Sequence, residues 1–455
     1  MLRFFYLFIL LIVITVCLVF PSDSTLAQNL KPISTVGNPS AQESELSSEL
    51  KKEILDSISA AIDKQAYVYG TDFSRWKTIA DGKLEEFEAA RTNQEFAQKV
   101  NAALGQFGVS HLNLRTPRAA QANKTGKAAG AGIYGLPKKD GYDVYTVKRG
   151  SPAETAGLRA GDLIVSVDGK PIQGNGLSGT AGQRIKIEVR RGGRLRQITL
   201  EIKEWKLPPD SLQWLNKQTA IISVRSFTDA HYDRKLIEKL FTEAGGAKTM
   251  VIDLRGNGGG NADNSSHLLD MVLPSGTKLG TFVEKADVER FKNRFQRDAR
   301  NLTELVEYGE MTISARSVFE ADRDRFKNQF QREPQTSAEL NKFVGPKSRK
   351  EYSGRILVVT DRAVGSGAEI FAQGIQDLKR GTVVGEQTIG QVLLADTIIL
   401  PGKFELHIVT ADYITIIGKR IEGKGVKPDV VLSPEIVGSD KALHQRISKI
   451  LVKTP

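Results

Sequence analysis

The chain has 455 residues, enough for about three domains, and is 40% hydrophobic and 26% charged, so it can bury a sizeable core. A single cysteine excludes a disulfide scaffold, and with five histidines it leaves no Cys/His cluster for structural zinc. The net charge of +11 is scattered rather than gathered in a tail, which reads as a solvated basic surface with no nucleic-acid partner.

Phe4 to Phe20 carries no charge, follows Arg3 and leads to the small-residue ending Thr25-Leu26-Ala27. This pattern predicts a secretory signal peptide over 1–27, with a retained membrane anchor as the alternative. Cys17 lies inside the apolar run, so a cleaved chain is exported and cysteine-free, in a periplasmic, lumenal or extracellular compartment. A retained segment would bring membrane association. Residues 28–42 are polar with two prolines and read as a linker. From 43 to 108, apolar residues recur at helical spacing, and a short strand-like run, LNLRTP (112–117), closes a helical domain over 43–118; a run rich in Ala, Gly and Lys that follows reads as a second linker.

Residues 128–204 alternate in the manner of short strands, with SPAETAGLRAGD between YDVYTVK and DLIVSVDG and a hairpin turning at Gly192-Gly193. The stretch SPAETAGLRAGDLIVSVDGKPI resembles the PDZ domain of bacterial proteases. The resemblance implies that Gly130, Ala131, Gly132 and Ile133 form the loop that receives a peptide C-terminus, through exposed N–H groups and a free strand edge. From 205 to 437, β-branched strands alternate with amphipathic helices, an α/β pattern interrupted by a charged, helical insertion at 284–350. Within the insertion, Arg290–Arg297 returns as Arg325–Arg332, which reads as an inserted helical hairpin. A C-terminal helix is expected over 438–455. The fold class is thus α/β + β: an N-terminal helical segment, a PDZ-like domain and an α/β core with a helical insertion.

Two turns in the core carry chemistry. In VIDLRGNGGG (251–260), a strand enters a glycine-rich loop that opens a helix. Uncovered N–H groups there suit a phosphate or an oxyanion, though a plain packing turn also needs such glycines. In the second turn, Ser366 stands between Gly365 and Gly367 where a strand becomes a helix. It reads either as an exposed nucleophile or as a helix cap completed by Glu369. In the nucleophile reading, the N–H groups of Gly258 or Gly259 and of Gly367 hold the oxyanion.

The PDZ-like stretch followed by VIDLRGNGGG, VGSGAEIFAQGIQDLKRGTVVGEQTIG and GKRIEGKGVKPDVVL resembles the C-terminal-processing (tail-specific) serine proteases, which include the tricorn core peptidases. The resemblance covers roughly residues 95–435 apart from the insertion. It implies a serine peptidase without metal or organic cofactor, acting on protein or peptide substrates. Tail-specific members place a lysine where this chain has Gln391, so a Ser–Lys mechanism is not expected. LGQFGVSHLNL resembles the tricorn-type segment in which adjacent Ser and His serve catalysis. This implies His111 as general base, Ser110 as an auxiliary hydroxyl and Glu422 as the group that orients His111. The other histidines read as solvent-facing (His231, His444) or structural (His267, His407). The expected activity is that of an exported serine endopeptidase. A catalytically silent peptide-binding scaffold on the same fold is the alternative.

Overall fold

The computed structural model describes residues 46–453 apart from 126–127, 173–176, 178–180, 310, 316–325, 333–338 and 340–350. The expected signal peptide, the 28–42 linker and much of the insertion lie outside the described residues. Among those described, no helix is long and apolar enough to cross a membrane.

The core sheet runs in the order 211–216, 219–223, 249–253, 355–360, 382–385, 430–431, antiparallel at the first pair and parallel thereafter. Its residues alternate between two buried faces, as the period of two in a strand dictates. Ala220, Ile222, Met250, Ile252, Ile356 and Val358 pack on one side with Ile237, Leu268 and Phe371 from helices Arg234–Glu243, Ala262–Asp270 and Gly367–Asp377. Ile221, Val251, Leu357 and Val359 face the other way, onto Leu443 and Ile447 of helix Asp440–Lys453. A second, antiparallel sheet is ordered 113–115, 405–415, 278–284, 311–314, with 394–399 also paired to 405–415. Through Leu406 and Ile408 it supports the N-terminal helices Ser48–Gln65 and Asn93–Leu104, placing residues 110–115 on the core.

The PDZ-like module is a sheet in the order 133–138, 141–147, 163–167, 184–191, 194–201, with its own core around Val144, Ile164, Ile187 and Leu200. Gly192 and Gly193 take φ of 55° and 77°, the left-handed pair that a tight hairpin requires.

Two expectations are corrected. The Ala-rich run after 116 is a helix, Pro117–Thr125, rather than a linker. Thr116 Oγ1 accepts the Ala119 N–H, Pro117 suits the first turn, and alanine is the strongest helix former. The insertion is not purely helical: after helix Lys285–Phe295 and the 3₁₀ turn Leu302–Tyr308, Met311–Ser314 joins the antiparallel sheet beside 278–284.

Candidate active site

Ser366 ends the turn after strand Arg355–Thr360 with φ 53° and ψ −126°, a backbone conformation few non-glycine residues hold. The surrounding loops over-determine it. Buried Asp361 accepts the N–H groups of Gly256 (3.0 Å) and Ala363 (3.0 Å), joining the glycine loop to this turn. The Gly365 N–H donates to Asn257 O (3.1 Å). Asn257, fully buried, donates from Nδ2 to Val224 O and accepts the Gly259 N–H at Oδ1 (2.9 Å).

That last bond corrects one expectation. The Gly259 N–H is taken by Asn257, so Gly259 does not offer it to an oxyanion. It is instead the glycine pressed against Ser366: a Cβ there would stand 2.5 Å from Ser366 Cβ. Among the described residues, neither the Gly258 nor the Gly367 N–H has an acceptor.

Glu369 lies one helical turn beyond Ser366 and is fully buried. Its carboxylate accepts the N–H groups of Ser366 (3.2 Å), Gly390 (2.7 Å) and Gln391 (2.7 Å) and the Thr388 hydroxyl. Burial pushes its pKa up to about 7 against the pull of these donors. It thereby holds segment 388–391 against the serine turn.

Consecutive residues of that segment reach the other candidates. Gln391 O accepts the Ser366 N–H at 2.7 Å. The Val392 N–H donates to Glu422 at 2.8 Å, and Glu422 accepts the Ser110 N–H at 3.1 Å. The Ser110 hydroxyl meets His111 Nδ1 at 2.7 Å. Thus Ser110, rather than Glu422, touches the ring, and the carboxylate acts on His111 through Ser110. This corrects the expected direct contact. Burial raises the Glu422 pKa, while bonds from Val392 and Ser110 lower it.

His111 takes φ 58° just before strand Asn113–Arg115, and its ring lies 5.7 Å from that of His407, whose residue pairs with Asn113. Nothing in the sequence signals this neighbour. Burial, with Arg115 adding to it, lowers the His111 pKa to about 4, and the same causes plus His111 take His407 to about 3. Both rings are therefore neutral at pH 7. An unfolded histidine binds its proton near pH 6.5, so the stabilisation from these neutral rings is present above that pH and lost as pH falls toward 4. The melting temperature is expected to drop over this window. His407→Gln should reduce that part of the slope by roughly half, as read by calorimetry across pH.

His231, expected in solvent, has a side chain only 12% exposed and lies 3.4 Å from Asp210. His267 is buried between Tyr232 (3.0 Å) and Glu238 (3.3 Å). Lys403, a lysine downstream of Gln391 that could stand in as the base, is exposed in a turn whose Gly402 packs on Leu50.

In the PDZ-like module, Gly130 ends strand Ala128–Gly130 and Ile133 opens the edge strand Ile133–Lys138, hydrogen-bonded on one side only. Ala131 between them is buried, with its N–H on Leu177 O and its C=O accepting from Ala153, which corrects the expectation that it exposes an amide. Gly132, at φ 76°, has no room for a side chain beside Ser151. The module also contacts the site. The Tyr134 hydroxyl donates to Gln391 Oε1 (3.2 Å), and Lys148 donates to the Gly256 carbonyl at the head of the glycine loop. No group of three or more His, Cys, Asp or Glu side chains is placed to hold a metal ion among the described residues.

Residues 218–432 match the model of peptidase family S41, and residues 144–191 match that of the PDZ domain. The chain is 26% identical over 325 residues to the chloroplastic C-terminal processing peptidase of Tetradesmus obliquus, covering 65% of this chain and 58% of that protein. It is 23% identical over 316 residues to a probable CtpA-like serine protease of Staphylococcus aureus (strain COL), covering 68% and 53%. The chain thus spans little more than half the length of the curated relatives it matches. Among solved structures, the photosystem II D1 C-terminal processing protease superposes with a TM-score of 0.58 at 20% identity, over 86% of this chain and 98% of that one. Mature CPAF superposes with a TM-score of 0.53 at 15% identity, over 89% and 98%. At these identities the likeness is one of fold.

Proposed function

We propose that this chain, a peptidase family S41 core joined to a PDZ domain, is an exported serine endopeptidase that cleaves protein substrates through Ser366. The observation that carries the reading is the hydrogen-bonded line from Ser366 through Gln391 and Val392 to Glu422, Ser110 and His111. Ser366 Oγ attacks the peptide carbonyl while His111 Nε2 takes its proton. The Ser110 hydroxyl, placed by Glu422, holds Nδ1 and so fixes the ring and its tautomer. The N–H groups of Gly258 and Gly367 receive the charge that develops on the carbonyl oxygen. Collapse expels the amine, which takes the proton from His111, and water hydrolyses the serine ester by the reverse path. The PDZ domain would capture a substrate C-terminus along the open edge of Ile133–Lys138.

A second reading, a catalytically silent peptide binder, draws on Gln391, which cannot accept a serine proton and is capped by Tyr134. One experiment separates the two. The protein is treated with a fluorophosphonate probe and, separately, with an unfolded protein substrate. The peptidase reading expects one adduct, at Ser366 by peptide mass, together with cleavage. The absence of both overturns it.

A further inference from the structure

A cavity of about 650 Å³ lies at the seam between the PDZ domain and the core, and none of the residues assigned above lines it apart from Thr388. Its wall includes Tyr145 from the PDZ side and Arg362, Glu386, Thr388, Ile389 and Val431 from the core. Glu386 is 8% exposed. Its N–H donates to Thr360 O and its C=O accepts from the Thr360 hydroxyl, so its backbone is fixed. Its carboxylate, among the described residues, has neither a hydrogen-bond nor an ion-pair partner. A carboxylate so largely withdrawn from water, lining a cavity without a protein partner, gains from a cation that enters to pair with it.

The cavity's own cation does not fill that role. Arg362 is bonded to Asp143 (2.8 Å) and stacked 3.9 Å over the Tyr145 ring. The other charges facing Glu386 are acidic. Burial acts most strongly and, with Asp361, Glu435 and Asp143 adding to it and Arg362 opposing, brings the carboxyl to about 7. A positively charged guest is therefore favoured over a neutral or acidic one.

The cavity is also in line with the serine. The Ile389 N–H donates to Val364 O (3.2 Å), and the Ser366 N–H donates to Gln391 O (2.7 Å). Segment 386–391 thus runs beside turn 362–366, with the cavity at one end and Ser366 at the other. Five residues of extended chain span at most about 17 Å, so a peptide lying along this segment reaches Glu386 a few residues from the bond being cut.

We propose that this cavity is a subsite for a lysine or arginine side chain of the peptide substrate, with Glu386 as its counter-ion. The proposal rests on the serine-peptidase reading and adds to it a preference for basic residues at a set distance from the scissile bond.

The test uses the full chain and a set of internally quenched peptides in which one lysine is walked along an otherwise neutral sequence, each paired with its norleucine twin. At one position the lysine peptide is expected to have a kcat/KM about tenfold above its twin, the scale of one desolvated charge pair. Glu386→Gln, and separately Val431→Arg, which sets a fixed cation on the cavity wall, should bring that ratio to about one. Equal cleavage of both twins at every position overturns the subsite, as does a preference that survives both substitutions. If the wild type cuts none of the peptides, the serine-peptidase reading fails instead. Fluorescence anisotropy of the same peptides on Ser366→Ala then decides the subsite without turnover, and equal affinities for lysine and norleucine peptides overturn it.

Discussion

Replacing His111 with alanine is expected to slow peptide cleavage on the order of 10⁴-fold, with loss of fluorophosphonate labelling at Ser366. Among the described residues, three other candidates are ill-suited to the role. Gln391 has no basic nitrogen, Lys403 is exposed, and Lys148 donates to the Gly256 carbonyl. The wild-type pH profile sharpens the expectation. Because burial and Arg115 lower the His111 pKa to about 4, the ring stays able to accept a proton well below pH 6. The acid limb of kcat/KM should therefore fall near pH 4 rather than near 6.5, and should vanish with the activity in the variant. A loss below tenfold would remove His111 from the mechanism, whereas a limb at 6.5 would show a catalytic ring whose pKa is not lowered.

Gly259→Ala is expected to lower kcat/KM by about 10²–10³-fold, the scale of a lost oxyanion donor. The new Cβ would stand 2.5 Å from Ser366 Cβ and 2.9 Å from Gly365 O, on a backbone at φ +90° that L side chains rarely adopt. The glycine loop must withdraw, and the Gly258 N–H goes with it. Gly258→Ala supplies the control. Its Cβ meets nothing within 4 Å and its N–H is kept, so its loss should be far smaller. Comparable losses in the two variants, with kinetics and melting temperature measured side by side, would show that steric pressure on Ser366 is not the cause.

Features set by neighbours along the chain are legible in the amino-acid order itself. The serine turn with its small flanking residues, the hairpin at Gly192-Gly193 and the β-branched core strands each follow from local backbone preference and side-chain period. Glu369 is legible as well, because a carboxylate three residues after a helix-capping serine returns to the cap. Contacts across long stretches of chain are not. Glu422 meets Ser110 over 312 positions, and Tyr134 meets Gln391 over 257. No periodicity reports such a meeting. The role expected of Glu422 is accordingly off by one residue, since the sequence offers no way to tell whether a carboxylate reaches the ring or the serine beside it. The helix at Pro117–Thr125 is masked by the glycines and lysines that follow it, whose loop-like composition outweighs its alanines.

The repeat in the insertion has a structural echo. Phe291 and Phe295 lie 4.7 Å apart, Arg297 stands 5.1 Å over Phe291, Gln296 takes φ 52°, and Arg297 pairs with Glu304. The matching residues repeat each feature: Phe326 and Phe330 at 4.6 Å, Arg332 at 5.1 Å over Phe326, Gln331 at φ 54°, and Arg332 paired with Glu339. A shape that reappears wherever its short sequence does is specified by that sequence and not by the sheet beside it. Such a unit can be copied within a gene without renegotiating the catalytic scaffold. The insertion is thus a place where this protein can gain or lose length by duplication while its serine turn stays untouched.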